Sequence, residues 1–313
     1  MPRVSVIIPT FNCARYLGRA IDTALGQTYK DYEILVIDDG STDETSELIG
    51  QYDGKIRYFY QSNKGVSCAR NLALSEANGE FFAYLDADDM WYPQKLEAQV
   101  AFLDRHRDCG LVHSEVSVID EMDHVLHLQF NHESGRKVPQ GHCVRDLLRQ
   151  NHIKAPTVLE RRDCIERAGT FDERLNGTED YLHWIVVAME GSAFGYIAEP
   201  LAMYRWRQGN LSNNVRRMNE DVERIFGIIL KEKSLAQRCG REAADIVRDR
   251  LYSIQRDLAY LDRTEGQIDY ARRRILNLIG EWPLRAELYV ELAKAYVPLT
   301  MAAKLRSLKE RWT

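Results

Sequence analysis

The first hundred residues alternate between short apolar runs and longer stretches in which apolar side chains recur at helical spacing. The apolar runs are rich in β-branched and aromatic residues and predict strands at 3–9, 32–40, 56–62 and 80–86. The stretches between them predict helices at 13–27, 41–52 and 65–79. Gly79 follows the third helix, at a position where glycine often ends helices. Strands that alternate with helices indicate right-handed βαβ units and a mostly parallel sheet, which is an α/β fold.

The pattern loosens after about residue 105. The predicted elements are a strand at 109–120, a mobile loop at 120–140, a loop leading into a helix at 164–191 and a pair of strands at 193–207. From about residue 218 the chain reads as charged, amphipathic helix, with breaks at Pro283 and Pro298. We therefore predict two regions, a domain at 1–215 and a helical C-terminal region at 216–313.

Composition and charge narrow the class of protein. The 313 residues are 45% hydrophobic and 28% charged, which is typical of a globular protein with an ordinary core. The net charge of −5 argues against nucleic acid as a partner. The six cysteines form no CxxC pair, no signal peptide is visible, and no apolar run is long enough to span a membrane. These features predict a cytoplasmic protein with reduced thiols.

Three polar loops follow predicted strands and should meet at one edge of the sheet, where α/β proteins bind their ligands. They are "PTFN" at 9–12, "DDGS" at 38–41 and "DADD" at 86–89. In the second loop, Ser41 and Glu44 fit a capping box at the start of a helix, which is a purely structural role. That interpretation leaves Asp38 and Asp39 unexplained, and a carboxylate there could accept a hydrogen bond from a base or a ribose.

The segment "LDADD" places Asp86 and Asp88 on one face of an extended chain, with Asp89 adjacent. Each like-charge pair at such a distance costs about 2–3 kcal/mol at an effective dielectric near 20. A divalent cation, Mn²⁺ or Mg²⁺, would remove that cost and would fill its open positions with substrate phosphates. The alternative is a well-hydrated acidic turn, which the two neighbouring polar loops make less attractive.

Two further patterns bear on function. The first loop has no glycine, and neither a dinucleotide fingerprint nor a phosphate-binding Walker A string occurs, which disfavours NAD, FAD and P-loop chemistry. In "GTEDYLHW", Glu179 and Asp180 open a predicted helix. Acids in a first turn are commonly structural. The functional hypothesis is a general base, which we expect to stay ionised at neutral pH.

Together these segments resemble the GT-A glycosyltransferases of family 2. The matching pieces, in the family's order, are "VSVIIPTFN", "VIDDGSTD", "NKGVSCARNLALSEANGEFFAYLDADD", "GTEDYLHW" and "YRWRQGNLS". The resemblance implies an inverting transferase that uses a nucleotide-diphosphosugar, with a UDP-sugar as the expected donor. It implies a base reader at Asp39, a nucleotide wall of Pro9, Thr10 and Phe11, donor contacts at Lys64 and Arg70, a ribose and metal motif at Asp86 and Asp88, a further metal ligand at Asp89, a catalytic base at Asp180, and an acceptor-side partner at Glu179.

Two positions depart from the family's pattern. Arg207 stands where many relatives have a histidine near the metal, so either the metal is held by fewer ligands or Arg207 contacts the diphosphate itself. The QxxRW motif of processive members fails, because Ala202 stands where glutamine is needed before Arg205 and Trp206. This departure favours transfer of a single sugar.

The sequence therefore predicts a non-processive transferase that moves one sugar to a hydroxyl of a glycan or lipid-linked acceptor in cell-surface polysaccharide synthesis. Two alternatives stay open: a metal-dependent phosphohydrolase or nucleotidyltransferase that acts on nucleotide-sugars, and a non-catalytic nucleotide-sugar-binding module. The basic, amphipathic tail, with Trp282 and Trp312, either lies on an anionic membrane surface or packs as a helical cap or homodimer arm.

Overall fold

The computed structural model describes residues 1–175, 177–207, 214–231 and 235–296. The chain divides into two compact units, Met1–Asn213 and Asn214–Thr313. The first unit is built around a sheet and the second is helical, so each is treated by itself below. The predicted helical C-terminal region is thereby confirmed.

The described strands of the first unit form one mixed sheet. They are β1 (Val4–Thr10), β2 (Tyr32–Asp38), β3 (Arg57–Tyr60), β4 (Phe81–Tyr84), β5 (Met90–Trp91), β6 (Cys109–Ile119), β7 (Val125–His127), β8 (Leu159–Arg161) and β9 (Ala193–Arg205). Their order is β3-β2-β1-β4-β8-β6-β9-β5, with β7 paired to β6. Strands β1 to β4 pair in parallel, as their alternation with helices predicts, whereas β8 is antiparallel to both β4 and β6.

Helices cover this sheet, and those at 14–25, 45–49, 66–76 and 179–189 lie within stretches predicted to contain helix. They are α1 (Ala14–Leu25), α2 (Thr45–Ile49), α3 (Val66–Glu76), α4 (Lys95–Arg105), α5 (Phe130–Glu133), α6 (Val144–Arg149), α7 (Arg162–Ala168) and α8 (Glu179–Met189). Every residue of β1 is buried. This apolar strand lies between neighbouring strands, and helices cover it.

Pro9 is tolerated inside central strand β1 because of where its missing N–H would point. The Ile7 carbonyl accepts from Leu85 on the β4 side, and the Thr10 carbonyl accepts from Asp39 on the β2 side. Backbone groups alternate along a strand, so Pro9 faces the β4 side. Strand β4 has already ended at Tyr84, which pairs with Ile7, and therefore no ladder bond is lost.

Four local predictions of structure were wrong. Where a pair of strands was predicted at 193–207, Ala193–Arg205 form one strand, β9, that runs parallel to β6 and has an irregularity between Ile197 and Pro200 without turning back. Residues 120–140 contain β7 and α5 where a mobile loop was predicted. The buried Glu115 explains α5, since its carboxylate accepts hydrogen bonds from the Asn131 and His132 backbone N–H groups. Such distant capping leaves no periodic signal.

The predicted capping box is the third error. Helix α2 begins at Thr45, and the Ser41 hydroxyl accepts a hydrogen bond from the Asn12 N–H in the first loop. Asp43 takes the capping role: its carboxylate accepts from Thr45 and also from the Ala14 N–H at the start of α1. One side chain therefore holds the first turns of two helices.

The second unit consists, in its described part, of the helices α9 (Val215–Lys231), α10 (Leu235–Cys239), α11 (Arg241–Thr264), α12 (Ile268–Glu281) and α13 (Ala286–Lys294). Pro283 lies in the break between α12 and α13, as predicted, while Pro298 and Trp312 fall outside the described residues. Tyr252, Leu278 and Leu288 form a small core against which Trp282 packs. Among the helices described, none is long and apolar enough to cross a membrane.

Gly79 does not end α3 in the way predicted, since the helix stops at Glu76 and Ala77 is already extended. A Cβ on Gly79 would lie 2.6 Å from the Ser5 backbone nitrogen and 2.8 Å from the Phe81 carbonyl oxygen. Neither backbone atom can move without disturbing the pairing of β1 and β4. The glycine is therefore required by the close approach of the two strands.

We predict that Gly79→Ala lowers the free energy of unfolding by about 1–3 kcal/mol, because overpacking forces the backbone to shift. Gly50→Ala is the matched control: Gly50 has ordinary helical angles and no atom within 4 Å of an added Cβ. Urea titration of both variants checks this. Equal stabilities for the two would show that the strands can separate at no cost.

Candidate functional site

The three polar loops meet at the carboxyl edge of the sheet. Strand β1 lies between β2 and β4, so the loops that follow these three strands are direct neighbours. The Asp39 N–H donates to the Thr10 carbonyl at 2.8 Å, and the Asn12 side chain accepts from Thr42 at 2.7 Å. The sequence prediction that these loops share one edge is confirmed.

Asp39 organises the loop that follows β3. Its carboxylate accepts from the Gln61 amide at 2.7 Å and from the backbone N–H groups of Lys64 at 2.9 Å and Gly65 at 2.7 Å. A carboxylate offers about four acceptor positions, so one is left for a ligand N–H. The side chain of Lys64 is exposed. Gly65 has a φ of 95°, which allows its N–H to turn toward the carboxylate.

Asp38 has a structural role. Its two oxygens accept from the Ser41 N–H at 2.8 Å and from the Tyr58 hydroxyl at 2.8 Å, and the residue is buried. Of the predicted nucleotide wall, Pro9 and Thr10 are buried and Phe11 is 49% exposed. Thr10 keeps a buried hydroxyl for which the described residues provide no hydrogen-bond partner.

Each aspartate of the 86–89 loop has an arginine partner. Asp86 accepts from Arg70 at 2.7 Å, Asp88 accepts from the Arg207 side chain at 2.8 Å, and Asp89 accepts from the Arg205 backbone N–H at 2.8 Å. The carboxylate repulsion inferred from the sequence is therefore met by arginine side chains at Asp86 and Asp88, whereas Asp89 accepts from a neutral backbone N–H. Asp89 differs from the other two aspartates in its acidity. Burial and the nearby carboxylates of Asp88 and Asp86 hold the pKa of Asp89 well above the usual range.

Arg70 joins the end of β4 to the start of α8. Its side chain is almost fully buried, and besides Asp86 it donates a short hydrogen bond to Glu179. Burial opposes its charge, but Asp86 and Glu179 outweigh burial and raise the pKa of Arg70. The guanidinium also lies 5.5 Å from the Phe171 ring centroid. Sequence comparison suggested a donor contact for Arg70, and that role stays a prediction.

Helix α3 presents Arg70 together with two other anchors. Ser67 donates to the Leu175 carbonyl, and the Asn71 amide both donates to and accepts from the Phe171 backbone. Positions three and four residues apart share one helix face. That face therefore fixes the segment that leads into α8, and with it the position of Glu179 and Asp180.

The fold raises the pKa of the Asp180 carboxyl group into the neutral range. It is partly buried at the start of α8, and its Oδ1 accepts from the Tyr181 N–H at 2.7 Å. Burial raises the pKa of Asp180 and Glu179 raises it further, while Arg70 opposes both, and the net result is a pKa of about 7. The expectation that the helix terminus keeps this group fully ionised was wrong, because desolvation outweighs the helix dipole.

The predicted metal ligands do not form a complete protein site. Within the described ranges no group of three or more acidic, histidine or cysteine side chains is placed to hold a metal ion. Asp86 and Asp88 nevertheless suit a cation chemically, since both are carboxylates and their side chains are 33% and 20% exposed at the edge of the sheet. Asp89 points inward to Arg205. Arg207 occupies an oxygen of Asp88 and would have to yield to a cation.

Two residues at this edge escaped the sequence analysis. Arg205 is buried; besides its contacts with the 86–89 loop, it donates to the Asp120 carbonyl and pairs with Asp123 at 2.6 Å. Lys154 lies near Asp180, and no motif marks it. The available signal for Arg205 was its place beside Arg207 in "YRWR", whereas Lys154 sits in a segment without any periodic pattern.

Solved structures show which fold this chain has. Staphylococcus aureus TarS in complex with UDP-GlcNAc has a TM-score of 0.65 at 21% identity, over 88% of this chain and 80% of that one. The mannosyltransferase PcManGT of Pyrobaculum calidifontis, in complex with GDP-Man and Mn²⁺, has a TM-score of 0.61 at 19% identity, over 99% and 80%. The fold is GT-A, as the motifs predicted.

Residues 5–156 match the profile of glycosyl transferase family 2. An uncharacterized glycosyltransferase of Rickettsia typhi is 34% identical over 74% of this chain and 72% of its own length. A Bacillus subtilis protein, TuaG, provisionally named as a teichuronic acid biosynthesis glycosyltransferase, is 30% identical over 68% and 82%. The chain belongs to glycosyltransferase family 2 and is a glycosyltransferase, which confirms the resemblance drawn from its motifs.

We predict that Arg70→Met lowers the free energy of unfolding by about 3–5 kcal/mol, because it leaves the buried Glu179 without its counter-charge. Adding Glu179→Gln should recover part of the loss, since the uncompensated charge is then gone. Arg15→Met is the control, because Arg15 is 63% exposed and its ion pair with Glu121 is long, 3.8 Å. Urea unfolding measures all three, and a cost below about 1 kcal/mol for Arg70→Met would contradict the assignment.

Proposed function

We propose that residues 1–215 form the catalytic domain of an inverting transferase that moves a single sugar from a nucleotide-diphosphosugar to an acceptor hydroxyl. The observation that carries this proposal is the Arg70 bridge. It joins Asp86, at the end of β4, to Glu179, beside Asp180, and so brings the predicted donor motif and the predicted base to one edge. A donor bound at the Asp86 motif and an acceptor deprotonated by Asp180 would meet between these two residues.

The donor side uses the loops after β1, β2 and β3. The remaining acceptor position of Asp39 suits a base N–H, and the exposed Phe11 ring offers a stacking surface beside it. Pro9, Thr10, Lys64 and Arg70 complete the proposed donor site. The neighbouring structures with UDP-GlcNAc and GDP-Man support a nucleotide-sugar donor. We expect a UDP-sugar, as the family's motifs imply.

The acceptor side uses Asp180 as general base. Direct displacement needs one carboxylate that takes the proton of the attacking hydroxyl and no covalent intermediate. Glu179 is unsuited to this, since its oxygens accept from Arg70 and from the Gly177 N–H. A pKa of about 7 suits Asp180, because it can both accept a proton at neutral pH and release it afterwards.

Asp86 and Asp88, with Asp89 as a further candidate, would hold a divalent cation, Mn²⁺ or Mg²⁺. When bound, such an ion offsets the charge of the departing diphosphate. The similar structure of PcManGT in complex with GDP-Man and Mn²⁺ supports the proposal that this site binds a metal ion. Arg207, already 2.8 Å from Asp88, is the chain's own cation at this place and would contact the diphosphate once the carboxylate turns to the ion.

The acceptor is a glycan or lipid-linked hydroxyl. The provisional name of the Bacillus subtilis relative supports a place in polysaccharide assembly. Ala202, in place of the glutamine of processive members, supports transfer of one sugar. We place the enzyme in the cytoplasm or on the cytoplasmic face of the membrane, with α9–α13 serving as a peripheral membrane contact or as a homodimer arm.

We predict that Asp180→Asn lowers kcat by about 10²–10⁴-fold, because the hydroxyl loses its proton acceptor. Nucleoside diphosphate release from the nucleotide-sugar that the wild type turns over is the measurement. Glu166→Gln, an exposed carboxyl-to-amide change on α7, is the control and should be silent. A folded Asp180→Asn variant with wild-type rates would contradict the assignment of Asp180 as general base.

The pH profile supplies a second check. The pKa of Asp180 is raised from 3.8 to about 7, so its base form accumulates as pH rises through 7, and kcat/KM should rise over the same interval. The ionised form costs stability above pH 4 or so, which means that Asp180→Asn should be at least as stable as the wild type at pH 8. A profile flat between pH 5 and 8 would contradict the role.

We predict that Mn²⁺ tightens UDP binding by about tenfold or more in the wild type, and that Asp88→Asn loses this gain because the cation loses a ligand. Calorimetric titration of UDP with and without Mn²⁺ measures both. Asp108→Asn, an exposed change in the turn between α4 and β6, is the control. If Mn²⁺ leaves UDP affinity unchanged in the wild type, the arginines alone balance these aspartates.

A further inference from the structure

Three basic side chains, Arg136, His152 and Lys154, lie on the Asp180 side of the site, and we refer to them as the basic cluster. The backbone that carries Lys154 is rigidly held. Its carbonyl accepts from the Thr157 N–H at 2.9 Å and from the Thr157 hydroxyl at 2.7 Å. The next turn is fixed by the Trp91 indole, which donates to the Pro156 carbonyl at 2.8 Å.

Lys154 is a cation without a counter-ion in the part of the chain that the structure describes. Its ammonium lies 4.6 Å from the centre of the Tyr204 ring, and neither a hydrogen bond nor an ion pair ties it to a described residue. Burial lowers the pKa of Lys154. Asp180 opposes this shift, as do Asp89 and Asp86, so the ammonium lies near Asp180 as well as near the 86–89 loop.

Arg136 and His152 share this environment. The Arg136 guanidinium lies 4.5 Å from the Phe130 ring centre and makes no ion pair among the described residues. Burial lowers the pKa of His152, and Arg136 and Lys154 lower it further, which places the three groups close together. The His152 Nδ1 is buried and has no hydrogen-bond partner within the same ranges.

This arrangement differs from the donor side. Arg70 and Arg207 each hold a carboxylate there, so their charges are already balanced within the protein. The basic cluster instead gathers cations that repel one another and leaves a buried nitrogen unsatisfied. Such a group gains most from an anion whose oxygens accept several hydrogen bonds.

We propose that Lys154 and Arg136, with His152 beside them, form a subsite for an anionic group of the acceptor, a phosphate or a carboxylate that lies near the reacting hydroxyl. The inference rests on the proposed function and names its substrate class: an acidic glycan or a phosphate-bearing acceptor. Lys154 and Arg136 would fix the acceptor while Asp180 takes the proton of its hydroxyl.

The test uses glycerol phosphate as the probe, because it carries a phosphate next to free hydroxyls, with neutral glycerol as its partner compound. Wild-type protein should bind glycerol phosphate and not glycerol in calorimetric titration. Lys154→Met and Arg136→Met should each weaken binding at least fivefold. Lys137→Met is the matched control, since Lys137 is 82% exposed and pairs with Asp146 at 3.1 Å. Equal binding by wild type and Lys154→Met, or none by wild type, overturns the subsite.

UDP titration separates this idea from the donor site. Lys154→Met should bind UDP as the wild type does, whereas a tenfold or larger loss would assign the cluster to the donor diphosphate and overturn the acceptor role. Thermal unfolding shows whether each variant is folded, and Lys154→Met should melt no lower than wild type because the half-buried ammonium that it removes makes no hydrogen bond or ion pair with a described residue. If wild type binds glycerol phosphate but no nucleotide-sugar, the proposed function fails while the anion subsite stands.

Discussion

The structure depends on a single buried arginine. Arg70 contacts Asp86 and Glu179, which lie 16 and 109 residues away along the chain, and its side chain is 4% exposed. A charge in that position is tolerable only while both carboxylates stay in place. The same contact therefore stabilises the fold and sets the spacing between the two halves of the proposed site. Ser67 and Asn71, on the same face of α3, keep the α8 segment from sliding along it.

Pairing of charges also bears on the pKa of Asp180. Asp86, Asp88 and Glu179 each have an arginine within hydrogen-bond distance. Asp180 shares the same crowded edge, and burial and Glu179 outweigh Arg70 there, which moves the pKa of Asp180 toward neutrality. Lys154 and Arg136 show the complementary situation, in which each cation makes no ion pair with a described residue.

Much of the architecture could be read from local patterns. The alternation of strands and helices up to β4, the shared edge of three loops and the helix beginning at Glu179 all follow from periodicity and from the geometry of parallel sheets. The errors share one cause. Helix α5 depends on Glu115, the start of α2 depends on Asp43, and Gly79 is needed by Ser5 across the sheet, so each feature is set by a contact that sequence spacing does not contain.

The sequence by itself determined the family, the identity of the edge residues and the presence of an acidic loop that needs counter-charges, because these follow from residue types in order. Only the tertiary structure decided which cation meets which aspartate, since Arg207 and Asp88 are 119 residues apart and their pairing is a matter of packing. It also decided the protonation of Asp180, because desolvation depends on what covers a side chain. Lys154 belongs to this second group: an ordinary lysine in the sequence, it becomes an unpaired charge once the chain folds around Tyr204.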